Sequence, residues 1–532
     1  MRDNTGLYAI AQTVRTRAKE LSDDILFSFE DQEITYAEYD SASNKAANGL
    51  LDAGIKKGDR IAFLGKNSPV YFELIAAASK IQAVMTPLNW RLAGPELEYI
   101  LNDCGAKLVF ATAEFRSVLA EIEPSLHNKP AVYVVAGDER DEEAYLSWRE
   151  RFSDIDPMLD DSADDDVLQL YTSGTTGRPK GAVLSSRNVL AIRGQEHENK
   201  LHDWQLYDRG ESGLLVMPCF HVGGTSFGLG IIHSGAHIVV IPEYDPNEVL
   251  DLIEKYSVGK VFMVPASLQM LLAHPRIDKA DFSSLKYIFY GASPIPLALM
   301  REAIDRIGCG FVQMYGATET GGTVVALSPE DHLPETTDAV KSKRMRSVGK
   351  PLWGVELKVI DDDGASVPSE TIGEIAVRSV KNIRRYWNLP EETKKTIDAD
   401  GWLRTGDAGY LDDDGYLYIH DRVKDMVISG GENIYPAEVE DAIFSHENIA
   451  DVAVIGIPDD KWGEAIMAFV VAKEGAELSE VEVIEFAKSR IARFKCPKSV
   501  KFVAALPRNA SGKILRRELR EPYWKGKERA VN

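Results

Sequence analysis

Short apolar runs alternate with segments of helical periodicity along the first two-thirds of the chain. A helix is expected over residues 70–80. The runs that predict strands are residues 60–64, 107–111, 167–172, 214–218, 237–241, 260–264, 287–290 and 311–314. This alternation is typical of α/β layers with mostly parallel sheets, and nearly continuous apolar strands indicate burial on both faces. We therefore expect a large N-terminal domain of layered α/β sheets.

The pattern changes after about residue 347. Alternating segments at 355–360, 373–378 and 416–420, with Asp-Asp-Gly turn signals, predict a β-rich subdomain. The last hundred residues predict a small α+β unit with a helix over 436–444, a strand over 450–456, a helix over 480–490 and a strand over 499–503. The expected division is an N-terminal domain over 1–421, a hinge over 422–425 and a mobile C-terminal domain over 426–532.

One apolar segment, residues 212–242, contains no Asp, Glu, Lys or Arg and is long enough to cross a bilayer. It also contains Pro218, three His and several Gly, which favour a buried strand–helix–strand unit instead. We expect no transmembrane segment. No apolar export signal is visible near the N-terminus.

Charge and cysteine content narrow the classes of function. The 532 residues include 61 Lys and Arg against 83 Asp and Glu, a net charge of −22, which argues against a broad nucleic-acid surface. An anion could still be bound in a local pocket of backbone N–H groups and Lys. The four Cys form no C-x-x-C pair, so a disulfide framework and a Cys-rich zinc site are unsupported. Scattered thiols fit a reducing cytosol, and we expect a cytoplasmic protein.

The strongest local signal is a loop rich in Thr, Ser and Gly that follows the strand ending at Thr172. It reads Ser173-Gly174-Thr175-Thr176-Gly177-Arg178-Pro179-Lys180. Glycines allow a tight turn and close approach of a ligand, and successive N–H groups in such a turn bind anions. The spacing differs from the Walker A motif. We predict a phosphate-binding loop.

Two further strand ends carry polar groups suited to a nucleotide. The strand over 311–314 leads into Tyr315-Gly316-Ala317-Thr318-Glu319, where Tyr315 could stack on a base and Glu319 could help bind Mg²⁺. The strand over 287–290 leads into Gly291-Ala292. Because ligands of open α/β sheets bind beyond the carboxyl ends of strands, we expect one shared crevice.

Four isolated signals lie elsewhere. Asp407 could accept both hydroxyls of a ribose, and Lys513 is presented by a Gly- and Ser-containing loop. Residues 224–228 fit the G-x-S-x-G elbow of α/β-hydrolases, but a hydrolase would leave the Thr/Gly/Lys loop unused. His221 precedes Gly223-Gly224, which could let an acyl chain pass close to the backbone.

Taken in order, these segments resemble the adenylate-forming superfamily, and residues 426–438 look most like fatty-acyl-CoA synthetases. The resemblance spans about residues 36–515 and implies catalytic roles for Lys513, Thr318, Glu319 and Lys180, with Glu319 binding Mg²⁺. The ATP- and AMP-binding residues that it implies are Thr172, Ser173, Gly174, Thr175, Thr176, Gly177, Lys180, Gly291, Ala292, Gln313, Met314, Tyr315, Gly316, Ala317, Thr318, Asp407, Arg422 and Lys513. It also implies an acyl site at His221, Gly223, Gly224 and Gly291, a CoA path at Ser429, Gly430 and Gly431, and a hinge at Lys424.

The implied reaction has two steps, in which an apolar carboxylic acid, medium- or long-chain, forms an acyl-adenylate and is then transferred to CoA. Mg²⁺ would be the cofactor, with ATP and CoA as co-substrates. The alternatives are an aryl acid, a steroid side-chain acid, a short thioether acid, and a non-catalytic nucleotide-binding relative. Some long-chain relatives carry a Trp gate after the His motif, where this chain has Gly223-Gly224. We expect only small-molecule partners; peripheral membrane contact and a homodimer remain open.

Overall fold

Four β-sheets organise the chain in a computed structural model. The structure describes residues 6–135, 144–160, 162–172, 179–191, 201–293, 295–332, 338–422, 425–429, 432–459, 461–508 and 514–525.

The strands up to residue 422 build three of the sheets. In chain order they are β1 (Ile25–Phe29), β2 (Gln32–Thr35), β3 (Arg60–Leu64), β4 (Val84–Leu88), β5 (Leu108–Thr112), β6 (Ala131–Val135), β7 (Asp166–Thr172), β8 (Lys180–Ser185), β9 (Ser212–Leu215), β10 (His237–Val240), β11 (Val258–Met263), β12 (Tyr287–Gly291), β13 (Gly310–Ala317), β14 (Gly322–Leu327), β15 (Lys350–Pro351), β16 (Val355–Ile360), β17 (Gly373–Ser379), β18 (Arg385–Tyr386), β19 (Leu403–Leu411) and β20 (Leu417–Arg422).

The helices of the same part cover or connect these sheets. They are α1 (Ile10–Glu20), α2 (Tyr36–Asp52), α3 (Pro69–Lys80), α4 (Gly94–Cys104), α5 (Arg116–Ile122), α6 (Tyr145–Arg149), α7 (Ser186–Leu190), α8 (Val222–Ser234), α9 (Pro246–Lys255), α10 (Pro265–Leu272), α11 (Leu297–Ile307), α12 (Ala339–Arg344) and α13 (Pro390–Thr396). Local signals set several helix ends: Thr35 forms a capping box with Glu38 before α2, and α8 ends at Gly235 in the left-handed conformation.

Two large sheets form the N-terminal domain. The nine-stranded sheet has the order β15-β14-β13-β12-β11-β9-β10-β1-β2, with a parallel centre and antiparallel strands at both edges. The seven-stranded sheet has the order β18-β8-β7-β4-β3-β5-β6. One hydrophobic cluster joins both sheets through α2, α3 and α8, with Leu50, Phe72 and Ile231 among its buried members. A four-stranded antiparallel sheet, β16-β17-β19-β20, completes this part.

The C-terminal unit is a separate small α+β domain with its own core. Its elements are β21 (Val427–Ser429), β22 (Glu432–Ile434), α14 (Pro436–Phe444), β23 (Ile449–Asp459), β24 (Gly463–Ala472), α15 (Glu480–Lys488), β25 (Ser499–Phe502) and α16 (Arg516–Trp524). The sheet order is β22-β21-β24-β23, and β25 pairs with β24 in parallel. Short 3₁₀ helices lie at Ala113–Phe115, Glu123–Ser125, Asp203–Gln205, Ile277–Lys279, Pro329–Asp331 and Arg493–Lys495.

The expected α/β architecture, with a large N-terminal and a small C-terminal domain, is confirmed. Residues 212–242 form β9, α8 and β10, the strand–helix–strand unit that was expected. No described helix combines the length and apolar character that crossing a bilayer requires. Ser226 lies within α8 rather than in a strand-to-helix elbow, so the hydrolase alternative lacks its geometry.

Candidate functional site

The turn that follows β13 fixes the position of Glu319. The Thr320 hydroxyl accepts a 2.8 Å hydrogen bond from Ala317 N and lies 2.8 Å from Gly322 O as donor. Gly321 has φ +60°, and a Cβ there would lie 2.4 Å from the carbonyl oxygen of Lys381, so this turn requires glycine. The turn therefore presents Thr318 and Glu319 at the carboxyl end of β13.

The Glu319 carboxylate lies where the two large sheets meet. Tyr386, in β18, donates a 2.8 Å hydrogen bond to Glu319 Oε1, and the Thr172 hydroxyl at the end of β7 is 3.4 Å from the same oxygen. Burial and the adjacent carboxylate raise the pKa of Tyr386, so its phenol remains a donor. A carboxylate carried by the turn beyond β13 of the nine-stranded sheet is thus held by two hydroxyls of the seven-stranded sheet.

Lys180 also lies where the two large sheets meet, near Tyr386. Its Nζ lies 2.7 Å from Glu392 Oε2 and 5.2 Å from the centre of the Tyr386 ring. The hydrogen bond from Lys180 lowers the pKa of Glu392. The predicted loop residues Ser173, Gly174, Thr175, Thr176 and Gly177 lie outside the described residues.

The second polar centre is formed by Tyr315 and Asp407. The Tyr315 phenol donates a 2.7 Å hydrogen bond to Oδ2 of Asp407, which is buried. Gly406 has φ +72°, and Asp407 N donates to the Thr405 hydroxyl at 3.1 Å. In the β19–β20 register, Asp407 pairs with Arg422, the last residue of β20.

Close backbone packing explains the small residues at the ends of β12 and β13. A Cβ on Gly291 would lie 2.2 Å from Met314 O, and one on Gly316 would lie 2.1 Å from Gly322 O. Ala292 has φ +66°, a conformation that costs a non-glycine residue free energy. Strain of this kind concentrates at binding sites, which fits the predicted adenine frame. Gln313, beside this frame, lies 3.3 Å from the Tyr290 hydroxyl through its Oε1.

His221 precedes α8 in an apolar setting. Its ring centre is 4.5 Å from that of Phe220, and its buried Nε2 has no hydrogen-bond partner among the described residues. Burial, with a smaller contribution from Arg91, lowers the pKa of His221 to about 4. The imidazole is therefore neutral near pH 7.

The two glycines after His221 have different surroundings. A Cβ on Gly223 would lie 3.2 Å from Phe262 Cε1 and 3.3 Å from Met217 Cε, at the ends of apolar side chains. A Cβ on Gly224 would lie 2.4 Å from Pro218 O and 2.7 Å from Met217 O. Gly224 thus allows α8 to pack against backbone, and its predicted contact with the acyl chain stays a prediction.

The loop carrying Lys513 is anchored at both ends. Arg508 pairs with Ile514 in an antiparallel bridge, Arg508 Nη2 lies 2.7 Å from Asp451 Oδ2, and Arg516 Nη2 lies 2.6 Å from Glu440 Oε2. Lys513 itself, like Lys424, Gly430 and Gly431, lies outside the described residues. Ser429 ends β21 and pairs with Gly463 of β24.

A cavity of about 120 Å³ lies between the two domains, beside these anchors. Its walls include Ala266 and Ser293 from the large domain and Phe444 and Arg516 from the small one. Gln269 Nε2 donates a 3.1 Å hydrogen bond across this boundary to Ala450 O. The loop ends near Lys513 therefore face the carboxyl end of β12, where Gly291 and Ala292 lie.

Sequence reasoning missed Tyr386 and Glu392. The signal for them was weak, because they are separated from Glu319 and Lys180 in sequence and only the β8–β18 pairing brings them close.

Within the described parts of the chain, no three His, Cys, Asp or Glu side chains are grouped to hold a metal ion. A single carboxylate is still consistent with Mg²⁺, which is often bound by one or two carboxylates together with substrate phosphates and water.

Comparisons with known proteins agree with this geometry. Residues 14–387 match the family described as AMP-binding enzyme, and residues 438–513 match the AMP-binding enzyme C-terminal domain. The fatty acid–acyl-carrier-protein ligase ScoC of Streptomyces coeruleorubidus is 39% identical over 504 residues, 94% of each chain. A feruloyl-CoA synthase of an Amycolatopsis species is 37% identical over 492 residues, 92% of this chain and 94% of its own.

Among solved structures, ATP-bound MatB from Rhodopseudomonas palustris has a TM-score of 0.87 at 30% identity, covering 97% of this chain and 100% of its own. Apo MatB from the same organism has a TM-score of 0.76 at the same identity and coverage. The matching domains, the relatives and the fold lead to one conclusion: this chain belongs to the AMP-binding enzyme family and is an AMP-forming acid–thiol ligase.

Proposed function

We propose that the protein activates an apolar carboxylic acid, a medium- or long-chain fatty acid, as its acyl-adenylate and then transfers the acyl group to CoA. One observation carries the proposal. Asp407 is hydrogen-bonded to Tyr315, at the start of the segment 315–318. Glu319 follows the end of this segment and lies beside the Thr172 hydroxyl, where groups suited to phosphate and Mg²⁺ would bind. This arrangement suits a nucleotide whose phosphates and ribose bind in that order.

The adenosine part of ATP would bind along the carboxyl end of β13. Tyr315 would stack on adenine, and Asp407 would accept hydrogen bonds from the ribose hydroxyls. The buried position of Asp407 and its 2.7 Å bond to Tyr315 support this role, because a fixed carboxylate accepts two hydroxyls at little entropic cost. Gly291 and Gly316 keep the neighbouring backbone close enough to frame a flat base.

The triphosphate of ATP would bind beside Thr172, Lys180 and Glu319. Glu319 would help hold Mg²⁺, whose positive charge would offset the negative charge of the triphosphate. Lys180 is engaged by Glu392, at 2.7 Å, and a phosphate would compete for the same ammonium group. Concentrated positive charge is needed here because two anions, the acid and ATP, must approach each other.

In the first step a carboxylate oxygen attacks the α-phosphorus, and the bond to the pyrophosphate oxygen breaks. Lys513 would bridge the carboxylate and the α-phosphate, while positioning of both reactants supplies much of the rate enhancement. The anchors at Arg508 and Arg516 place the ends of the Lys513 loop beside the cavity at the end of β12. This placement supports a role for the small domain in adenylate formation.

In the second step a thiolate attacks the acyl carbonyl carbon, and AMP leaves with the electron pair of the acyl–oxygen bond. We propose that the small domain, residues 426–532, turns about a hinge at 422–425 containing Lys424, so that Ser429, Gly430 and Gly431 line the thiol path. The higher TM-score to ATP-bound than to apo MatB supports an adenylating arrangement in the present structure.

The surroundings of His221 support an apolar acid. Phe262, Met217 and Phe220 lie around His221 and Gly223, and the lowered pKa keeps the imidazole uncharged. These apolar side chains favour an apolar acid over a strongly polar one, because an unpaired polar group would lose its hydration there. All four cysteines are free, which supports a reducing cytoplasmic setting.

An aryl acid is the second candidate, because one relative of 37% identity is named a feruloyl-CoA synthase. The experiment is a panel of straight-chain acids from short to long, with aryl, thioether and steroid side-chain acids, measured by pyrophosphate release and CoA thiol consumption. The proposal expects the highest kcat/KM for a medium or long straight-chain acid. A maximum for an aryl acid would select the alternative. No pyrophosphate release with any acid would refute the proposed reaction.

A further inference from the structure

Lys180, the first residue of β8, forms an ion pair with a carboxylate that lies far from it in sequence. Its Nζ lies 2.7 Å from Oε2 of Glu392, and the two side chains are 13% and 28% exposed. The hydrogen bond from Lys180 is the largest cause that lowers the pKa of Glu392, so this carboxylate is charged near pH 7. The ammonium group that the proposed function assigns to the triphosphate is therefore also the partner of a protein anion.

Backbone contacts bring Glu392 to this position. β18 pairs with β8, and Trp387 N, just after β18, donates a 2.7 Å hydrogen bond to Gly181 O, next to Lys180. The Thr393 hydroxyl, in α13, accepts a 3.0 Å hydrogen bond from a backbone N–H of β18. These bonds attach the first turn of α13 to β8. The fold therefore holds the Glu392 carboxylate beside Lys180, in addition to the attraction between the two charges.

Glu392 has a second cationic partner on its own helix. Lys395 Nζ lies 3.0 Å from Oε1 of Glu392, the oxygen that does not contact Lys180. Residues three apart on a helix are neighbours, so this pair needs no rearrangement of α13. The carboxylate therefore bridges two lysines, and it stays paired with Lys395 when Lys180 turns to another anion.

A phosphate and the Glu392 carboxylate oppose each other at Lys180. Each anion would place an oxygen about 2.8 Å from the same Nζ, so the two oxygens would lie at most about 5.6 Å apart. Negative charges at that separation repel, and the repulsion near a protein surface is stronger than in bulk water. Glu392 is 28% exposed, so it can move away from Lys180 into solvent. Binding of a triphosphate at Lys180 therefore favours release of Glu392.

We infer that Glu392 is an exchangeable counter-ion of Lys180 that lowers the affinity for ATP: the triphosphate displaces the carboxylate, and Lys395 retains it. The inference rests on the proposed function, in which Lys180 binds the triphosphate, and it adds a residue that sets the affinity of this site. Because the Lys180–Glu392 pair must separate, part of the attraction between ATP and Lys180 is lost in breaking it.

The test measures the dissociation constants of ATP and AMP by equilibrium binding to the full chain, without an acid substrate. Glu392→Gln removes the charge and keeps a hydrogen-bonding side chain. Glu391→Gln is the matched control, because it removes the same charge from the preceding residue of α13, whose carboxylate pairs with Lys394 instead. Lys395→Met removes the second partner of Glu392, and Lys394→Met is its control.

Glu392→Gln should lower Kd for ATP by about threefold or more, since it removes a partly exposed competing ion pair. Glu392→Asp, which keeps the charge on a shorter side chain, should lower it less. Lys395→Met should raise Kd for ATP, because Glu392 loses the partner that retains it. The same Lys395 substitution should have no further effect in the Glu392→Gln variant, since the coupling between the two residues is then absent.

Three further readouts separate exchange from a structural role. AMP has one phosphate instead of three, so its Kd should respond less than that of ATP to Glu392→Gln. The kcat for pyrophosphate release and the unfolding temperature should stay close to those of the wild type, because Lys180 has left Glu392 once ATP is bound. Glu391→Gln and Lys394→Met should bind ATP as the wild type does.

Several outcomes would overturn the inference. An unchanged or higher Kd for ATP in Glu392→Gln, or a lower kcat, would show that Glu392 positions Lys180 or only attaches α13 to β8. Equal falls in Glu391→Gln and Glu392→Gln would leave only the general surface potential. Additive effects of Glu392→Gln and Lys395→Met would contradict retention of the carboxylate by Lys395.

Failure of the proposed function would show separately. Lys180→Met should raise Kd for ATP and abolish the response to Glu392→Gln. If Lys180→Met binds ATP as the wild type does, Lys180 does not bind the triphosphate, and both its proposed role and the inference fail. Absence of pyrophosphate release by the wild type with every acid would refute the reaction, while the binding measurements would still test the exchange at Lys180.

Discussion

The phenol of Tyr386 donates a 2.8 Å hydrogen bond to Oε1 of Glu319, and this contact joins the edge strand of one large sheet to the turn beyond β13 of the other. The proposed metal-binding carboxylate is therefore positioned by an uncharged donor that leaves its negative charge available. Glu319 also approaches the Thr172 hydroxyl, the last described residue before the proposed phosphate loop.

Replacing Glu319 with Gln should raise the Mg²⁺ concentration needed for half-maximal pyrophosphate release and lower the maximal rate. The amide keeps an acceptor oxygen for Tyr386 but loses the charge that attracts a divalent cation. The measurement is a Mg²⁺ titration at saturating ATP and acid. Tyr386→Phe is the matched control, because it removes the hydrogen bond and keeps the carboxylate, so its titration should shift less. Unchanged titration and turnover in Glu319→Gln would refute the metal-binding role.

Replacing Asp407 with Asn should raise KM for ATP by about tenfold or more, since a hydrogen bond to a charged group contributes roughly 1.5–3 kcal/mol. The variant should also lose discrimination between ATP and 2′,3′-dideoxy-ATP, because the lost bonds are those to the ribose hydroxyls. Tyr315→Phe should have a smaller effect on that ratio, since it keeps the carboxylate. If both nucleotides lose affinity equally, Asp407 does not bind the ribose hydroxyls.

The two glycines after His221 should respond differently to substitution. Gly223→Leu should shorten the preferred acid, because its side chain would extend toward Phe262 and Met217. Gly224→Ala should instead lower the free energy of unfolding by about 1–3 kcal/mol, the usual cost of overpacking, because its Cβ would meet Pro218 O. Chain-length profiles and thermal unfolding separate the two. A profile unaltered by Gly223→Leu would remove this wall from the acyl site.

Lys513→Ala should nearly abolish adenylate formation while leaving thioester formation from supplied acyl-adenylate within a few-fold of the wild type. Loss of one preorganised contact of this kind costs on the order of 3–4 kcal/mol. Lys424→Pro should have the reverse effect, because proline fixes φ and stiffens the proposed hinge. Each half-reaction is measured separately, by pyrophosphate release and by CoA thiol consumption. Equal loss of both half-reactions in both variants would contradict the rotating-domain mechanism.

Three histidines, one buried and two half-buried, should make stability depend on pH. Burial lowers the pKa of His221, His237 and His332 to about 4, whereas an unfolded histidine titrates near 6.5. Between these values the unfolded chain binds more protons, so the free energy of unfolding should fall as pH decreases from about 6.5 to about 4. Denaturant unfolding at several pH values measures the slope, and His237→Gln should reduce it. An identical slope in the wild type and His237→Gln would contradict the contribution of His237.

Local patterns predicted many elements well because burial on both faces leaves a strong apolar signal. The expected helix over 436–444 coincides with α14, and the expected strand over 60–64 coincides with β3. The strand expected over 214–218 ends earlier, at Leu215, where the chain turns toward α8. The long strand β24 was missed, although the apolar run over 465–471 carried its signal.

The site was less predictable where tertiary contacts decide it. Glycine at positions 291 and 316 could be identified from sequence as a sign of close approach, and the structure shows backbone oxygens as their neighbours. Gly224 has neighbours of the same kind, the backbone oxygens of Pro218 and Met217. The partners Tyr386 and Glu392 depend on an edge-strand pairing that no local pattern encodes.

The bond between Tyr315 and Asp407 spans two sheets, since β13 belongs to the nine-stranded sheet and β19 to the four-stranded one. A nucleotide that contacts both residues binds only chains in which these sheets are docked. A nucleotide at free concentration [L] therefore stabilises the docked arrangement of the two sheets by RT ln(1 + [L]/Kd). Amide hydrogens of β19 should exchange more slowly with ATP or AMP present, and proteolysis at this boundary should slow as either nucleotide approaches saturation.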